Sequence, residues 1–224
     1  TQKGKCFWLR VFEIPEGSKT SKGLSIQNLI NIEQDDRVKA FICTQDLKDE
    51  EYINSMFVVM ATKKGQVKKT SLEQYSRPRT NGINAITIRE GDELLEAKLT
   101  TGLSQVVLAV KSGKAIRFEE SKTRPMGRNA SGVRGISLKD ANDEVIGMVT
   151  VNDLDSDILV VSEHGYGKRS NLDDYRITNR GGKGVKTLSL TEKTGNLVAI
   201  KNVNDEDDLM IINRSGIAIR LGVD

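Results

Sequence analysis

Residues 105–118 read QVVLAVKSGKAIRF. A β-rich run meets a short polar link containing glycine, and a second short run carrying arginine follows. Two such runs around a glycine-bearing turn predict a β-hairpin. The same signal recurs as MFVVMATKKGQVKKTSL (56–72), ILVVSEHGYGKRSNL (158–172) and LMIINRSGIAIRL (209–221). The opening KGKCFWLRVF (3–12) reads as the second half of a further copy. The marker glycines are Gly4, Gly65, Gly113, Gly165 and Gly216, in steps of 61, 48, 52 and 51 residues.

Each hairpin is followed by a polar loop containing glycine: EGSKTSKG (16–23), SRPRTNG (76–82), TRPMGRNASG (123–132) and TNRGGKG (178–184). Apolar segments come next: LSIQNLI, INAITI, VRGISL and VKTLSL. An acidic turn then leads to a further strand: RVKAFI, ELLEAKL, EVIGMVTV or NLVAIKNV. The β-branched content gives about four strands per repeat, and only short pieces such as SLEQY (71–75) suit a helical turn. An all-β, propeller-like array of four-stranded blades follows, with about 50 residues per repeat. Repeats are expected at 1–50, 51–100, 101–148, 149–198 and 199–224, the last one partial. The chain starts and ends within a repeat, so either the last strands close a ring with the first or the chain is a piece of a longer one.

Composition fits this reading. The 224 residues are 37% hydrophobic and 29% charged, which suits a soluble globular protein rather than a disordered one. No apolar run approaches the roughly 20 residues of a membrane span, and the first residues lack a signal-peptide pattern. Cys6 and Cys43 are expected as free thiols in a reducing cytoplasm, with a disulfide as the alternative.

Charge follows the repeat. Residues 63–88 carry a net +5, 89–110 carry −2, 111–138 carry +5, and 139–162 carry −5. The next pair, 163–190 and 191–213, carries +3 and −3. One basic segment alone would read as an ordinary solvated surface. Several in phase read as a basic path for a long polyanion. Aromatic residues make up only 4%, so contact with the phosphate backbone is expected rather than base stacking.

Catalytic chemistry finds little material. The one histidine, His164, lies in the turn EHGYGK without a nucleophile elbow. One histidine and two distant cysteines do not make a zinc site. The run DEDD (205–208) lacks EF-hand spacing, and RGGKGVKT lacks that of a phosphate-binding Walker loop. No catalytic residue, metal or cofactor is expected.

Four stretches carry a family resemblance: FWLRVFEIPEGSKTSKG (7–23), VMATKKGQVKKTSLEQYSRPRTNGINAI (59–86), SGKAIRFEESKTRPMGRNASGVRGI (112–136) and HGYGKRSNLDDY (164–175). Together they resemble the C-terminal domain of the DNA gyrase A subunit. The A-type subunit of topoisomerase IV is the competing match, and EIPEGSKTSKG sides with gyrase. The resemblance implies a β-pinwheel, a propeller-like fold in which strands are exchanged between neighbouring blades. It also implies a non-catalytic module that bends duplex DNA around a basic edge to support negative supercoiling. The expected setting is a bacterial cytoplasm, near the nucleoid. The rest of the gyrase A polypeptide and the gyrase B polypeptide, holding the catalytic tyrosine and the ATPase, are the implied partners. A propeller-like protein-interaction scaffold is the alternative from another class.

The family's signature heptapeptide is Gln-Arg-Arg-Gly-Gly-Lys-Gly. Residues 178–184 match its last five positions, while Thr178 and Asn179 replace the first two. This reads as a degenerate later copy, with the principal one expected ahead of Thr1. The residues expected to meet DNA are Lys19, Lys22, Lys68, Lys69, Arg77, Arg79, Lys114, Arg117, Arg124, Arg128, Arg134, Lys168 and Arg169. The heptapeptide residues Arg180, Gly181, Gly182, Lys183 and Gly184 complete the set. Glycine permits close backbone approach, so exposed amides there can meet phosphate oxygens.

Overall fold

The structure, a computed structural model, describes residues 1–18, 20–213 and 215–223. In chain order the elements are β1 (Lys5–Cys6), α1 (Glu50–Ser55), β2 (Phe57–Thr62), β3 (Gln66–Ser71), β4 (Ile83–Asn84) and β5 (Leu94–Thr100). Then come β6 (Gln105–Val110), β7 (Lys114–Glu119), β8 (Val133–Arg134), β9 (Val145–Val151) and β10 (Asp157–Ser162). The last are β11 (Gly167–Asn171), β12 (Val185–Lys186), β13 (Leu197–Val203), β14 (Asp208–Ile212) and β15 (Ala218–Gly222). Two compact units form, one from Thr1–Leu103 with Glu120–Gly135, the other from Ser104–Glu119 with Ile136–Asp224.

In the first unit, an antiparallel sheet runs β5-β2-β3-β8, and β1 pairs with β4. In the second, one sheet runs β12-β7-β6-β9, another β11-β10-β13, and β14 pairs with β15. The long hairpins share one register: Phe57 faces Ser71, Gln105 faces Glu119 and Asp157 faces Asn171. Each inner strand also shifts register just before its turn, at Ala61/Thr62, Ala109/Val110 and Val161/Ser162. The marker glycines close the turns with φ between +81° and +84°. Only glycine adopts that conformation without strain.

The central strands are covered on both faces, so FVVMAT and QVVLAV bury all but their first residue. Burying one Val or Leu in this way contributes about 1.5–3 kcal/mol. Around β2, the side chains of Val58, Met60, Tyr75 and Ile86 form one core. Around β6, those of Val107, Val149, Ile158 and Leu197 form the other. The acidic turns are structural. Asp36 Oδ1 accepts the amide of Lys3 at 3.0 Å, Asp92 Oδ1 that of Lys64 at 2.9 Å, and Asp143 Oδ1 that of Ser112 at 3.0 Å. Asp92 and Asp143 thereby tie the turn of a hairpin to the strand that follows, and Asp36 ties the Gly4 turn to the segment RVKAFI.

Strands β4, β8 and β12 are the exchanged pieces. Each comes from far along the chain yet caps an earlier hairpin. Ala85 N–H donates to Gly4 O at 2.7 Å, Gly135 N–H to Gly65 O at 2.8 Å, and Thr187 N–H to Gly113 O at 2.9 Å. The approach needs a glycine just before the exchanged strand. A Cβ on Gly132 would sit 2.6 Å from Val67 O, and one on Gly184 would collide with Ala115 O.

A second device repeats four residues past Gly4, Gly65, Gly113 and Gly165. Trp8 Nε1 donates to Tyr75 O at 3.0 Å. Lys69 Nζ lies 3.0 Å from Glu120 Oε1 and 4.2 Å from the centre of the Phe57 ring. Arg117 donates through Nε to Gln105 Oε1 at 2.7 Å, and through Nη1 to the carbonyls of Leu172 at 2.8 Å and Tyr175 at 3.1 Å. Arg169 reaches Asp157 at 2.6 Å, Asp205, and Val223 O at 3.4 Å. In each case the side chain joins one hairpin to the turn that ends the next.

Several expectations change here. Lys68, Lys69 and Arg117 were expected to face DNA, but all three are buried. Lys69 and Arg117 are the joining side chains just described. Lys68 is fully buried and donates to the carbonyls of Ala85 at 2.6 Å and Arg128 at 2.5 Å. RVKAFI forms no strand. The corresponding segments pair with the first strand of a hairpin, and among the described residues RVKAFI has no such strand to pair with. The exchanged segments form strands of only two residues each, and α1 was not anticipated. Both thiols are free. Burial pushes the Cys6 thiol up to about 11.

Two outcomes follow. Gly132→Ala is expected to lower stability by about 2 kcal/mol or more, because strain at positive φ adds to collision with a carbonyl. Gly91→Ala, at φ +71° with open space around it, should lose only about 1 kcal/mol. Urea denaturation of both variants checks this. Burial and the nearby Arg128 charge push the Lys68 amine down to about 8. Between there and the ordinary lysine value near 10.4, the unfolded chain binds more protons, so stability contributed at this site rises with pH. Lys68→Ile, which installs the residue found at the same place in β7, should remove that rise. The stability difference between the two proteins should move by on the order of 2 kcal/mol in favour of wild type from pH 8 to 10.5.

Candidate nucleic-acid interface

The segment that crosses from each turn to the exchanged strand is anchored at both ends and exposed between them. In the first unit, Tyr75 and Thr123 are buried at the start of two such loops. Met126 N–H donates to Lys69 O at 2.8 Å, which holds the second loop along β3. In the other unit, Tyr175 is buried and Thr178 N–H donates to Arg117 O at 2.9 Å. Residues between such anchors are held outward by the backbone.

Arg77, Arg79 and Arg124 are exposed on the loops of the first unit. Arg128 is half-buried beside Asn84 O, and its carbonyl receives Lys68. Lys22 and Arg134 are exposed, while Lys19 lies outside the described residues. In the other unit, Lys168 and Lys183 are exposed, and Lys114 and Arg180 half-buried. Arg169 is exposed but held by Asp157 and Asp205. Sequence reasoning missed Arg176 and Lys186, both exposed. Arg176 stands two residues ahead of TNRGGKG, and its loop position was the available signal.

The TNRGGKG loop folds around its glycines. Gly181 has φ +84° and Gly184 φ +70°. Ser137 fixes the loop from behind: its Oγ donates to Gly181 O at 2.7 Å and its N–H to Gly182 O at 2.9 Å. With those carbonyls engaged, the amides of Gly181, Gly182 and Lys183 make no hydrogen bond among the described residues. A depression of about 260 Å³ opens beside them, lined in part by Arg117, Arg176, Asn179, Lys183 and Gly182. Free amides beside a positive-φ glycine, with cations at the rim, suit an oxyanion.

His164 is exposed in its turn, with Nδ1 3.0 Å from Lys193 O. In DEDD, Asp207 accepts the Asn204 amide at 2.8 Å, while Asp205 and Asp208 pair with Arg169 and Arg220. No group of three potential metal ligands occurs among the described residues. No helix among them is long and apolar enough to cross a membrane.

Comparison with known proteins places these features. Residues 1–45, 57–101, 105–152 and 156–204 match the model of a family described as the DNA gyrase C-terminal domain, beta-propeller. Relatives include the DNA gyrase A subunits of Staphylococcus aureus strains MRSA252 and NCTC 8325, each 44% identical over 225 residues. The match covers 100% of this chain and 25% of each relative, so the chain spans about a quarter of their length. The fold is similar to a crystal structure of the C-terminal domain of DNA topoisomerase IV, with TM-score 0.87 at 24% identity, over 99% of this chain and 68% of that one. It is also similar to a DNA gyrase A C-terminal domain, with TM-score 0.80 at 23% identity, over 98% of this chain and 69% of that one. The family model covers well over half of the residues, and the chain belongs to the DNA gyrase C-terminal domain family.

Proposed function

We propose that the chain is a DNA-binding and DNA-wrapping module of a gyrase A subunit. The observation that carries this reading is the division of its cations into two sets. Lys69, Arg117 and Arg169 are taken up in joining hairpins. Arg77, Arg79, Arg124, Arg176 and Lys183 sit on the repeated loops with no ion-pair partner among the described residues. Unpartnered charge displayed on successive loops suits a partner whose own charge repeats, and duplex phosphate is such a partner. Bending a short duplex site costs several kcal/mol, which many modest contacts offset better than one anchor.

On this reading, DNA cleavage and ATP hydrolysis belong to other parts of a longer protein and its partner polypeptide, in a bacterial cytoplasm. The 44% identity to gyrase relatives favours gyrase over topoisomerase IV, whose similarity here is one of fold. A scaffold for an acidic protein would use the same cations, and the test separates the two.

Changing Arg77, Arg79, Arg124, Arg176 and Lys183 together to Ala should flatten the dependence of log affinity on log salt by about 0.9 per lost phosphate contact, so by about 4.5. Lys69→Met, which removes the cation beside the buried Glu120, should lower the melting temperature and leave that slope unchanged. Relaxing closed circular plasmid in the presence of the protein should trap a change in linking number with wild type and little with the five-residue variant. An unaltered slope and linking number in that variant would refute the proposal.

A further inference from the structure

The exchanged strand β12 places Lys186 directly opposite Lys114 of β7. The equivalent pairs elsewhere are Arg134 with Gln66 and Asn84 with Lys5, each with a single cation. Residues directly opposite on antiparallel strands have Cβ atoms about 4.5–5.5 Å apart, and like charges there are destabilising. Neither lysine has a hydrogen-bond or ion-pair partner among the described residues, and Lys186 is exposed. Asp143, a carboxylate that anchors the same hairpin turn, is occupied by the Ser112 amide and hydroxyl and the Lys139 amide. The pair thus stands as an uncompensated double positive charge across a ladder two residues long. Lys183, exposed three residues before Lys186, adds a third cation on the same segment.

We propose that Lys114 and Lys186 form a phosphate clamp across the exchanged strand, so that bound duplex DNA holds β12 against β7. The proposal rests on the DNA-binding reading above and adds a new consequence. The two lysines lie 72 positions apart in sequence and on different segments of chain. A phosphate bridging them converts a local repulsion into a link between those segments. Binding energy would then act on strand exchange itself. Without DNA the pair weakens the exchange; with DNA it strengthens it.

The test uses the full 224-residue chain with K114Q, K186Q, the double variant and the conservative K186R, probed with linear duplex DNA. Each single Gln variant should flatten the salt slope by about 0.9 and weaken affinity at ~0.1 M salt about 8-fold relative to 1 M extrapolation. K186R should retain both. Without DNA at low salt, K186Q should melt at the wild-type temperature or above it, because repulsion is relieved. Exchange of the Thr187 amide, which donates to Gly113 O, should slow on adding duplex in wild type and much less in K186Q. A lower melting point for DNA-free K186Q would mark the lysine as structural and overturn the clamp. So would an unchanged salt slope, or Thr187 protection equal in both proteins. If wild type itself shows no salt-dependent duplex binding, the wrapping reading fails. If only the five-residue loop variant loses it, that reading stands and the clamp alone falls.

Discussion

The structure depends on one reach: four residues past Gly4, Gly65, Gly113 and Gly165, a side chain extends to the turn that closes the following repeat. The carbonyls of Tyr75, Leu172 and Tyr175 receive such donors, and a buried carbonyl left unpaired costs about 1–3 kcal/mol. Trp8 satisfies one with a neutral indole N–H, so the requirement is for a donor rather than a charge. Lys69 brings a charge as well, and the fully buried Glu120 answers it. Arg117, with several donors, serves Gln105 and two carbonyls at once. Buried pairs of this kind add little net stability over an apolar substitute, yet removing one partner is severe. They fix each hairpin against the turn it reaches.

This division explains how far the sequence could be read. Hairpins were legible because turn chemistry is local: a glycine at φ near +82° between β-branched runs leaves few alternatives. The fourth strand of three repeats was legible for the same reason. RVKAFI was misread because a strand exists only with a neighbour to bond, and pattern alone does not supply one. The exchanged strands are two residues long, too short for any periodicity, and their pairing spans some seventy positions. Only Gly82, Gly132 and Gly184 hint at where they begin.

Among the cations, loop residues such as Arg77, Arg124 and Lys183 were read as exposed and are so. Lys68, Lys69 and Arg117 were not separable from them by composition. Phase relative to the turn glycine does not separate them either: Lys68 and Lys69, third and fourth after Gly65, are buried, while Lys168 and Arg169, third and fourth after Gly165, are exposed. The aspartates Asp36, Asp92 and Asp143 passed as solvated acidic turns for a similar reason. Their role lies in amides far along the chain, which a charge count does not see.

The exchanged strand also sets a timetable for synthesis. The carbonyl of Gly65 waits for the amide of Gly135, and that of Gly113 for Thr187. At about 5–20 residues per second, a ribosome needs roughly 4–15 seconds to supply the missing piece. For that interval each finished hairpin carries an open edge, able to accept a strand from a neighbouring nascent chain. Short two-residue ladders keep such mistaken pairings weak and reversible, and a long exchanged strand would make them permanent.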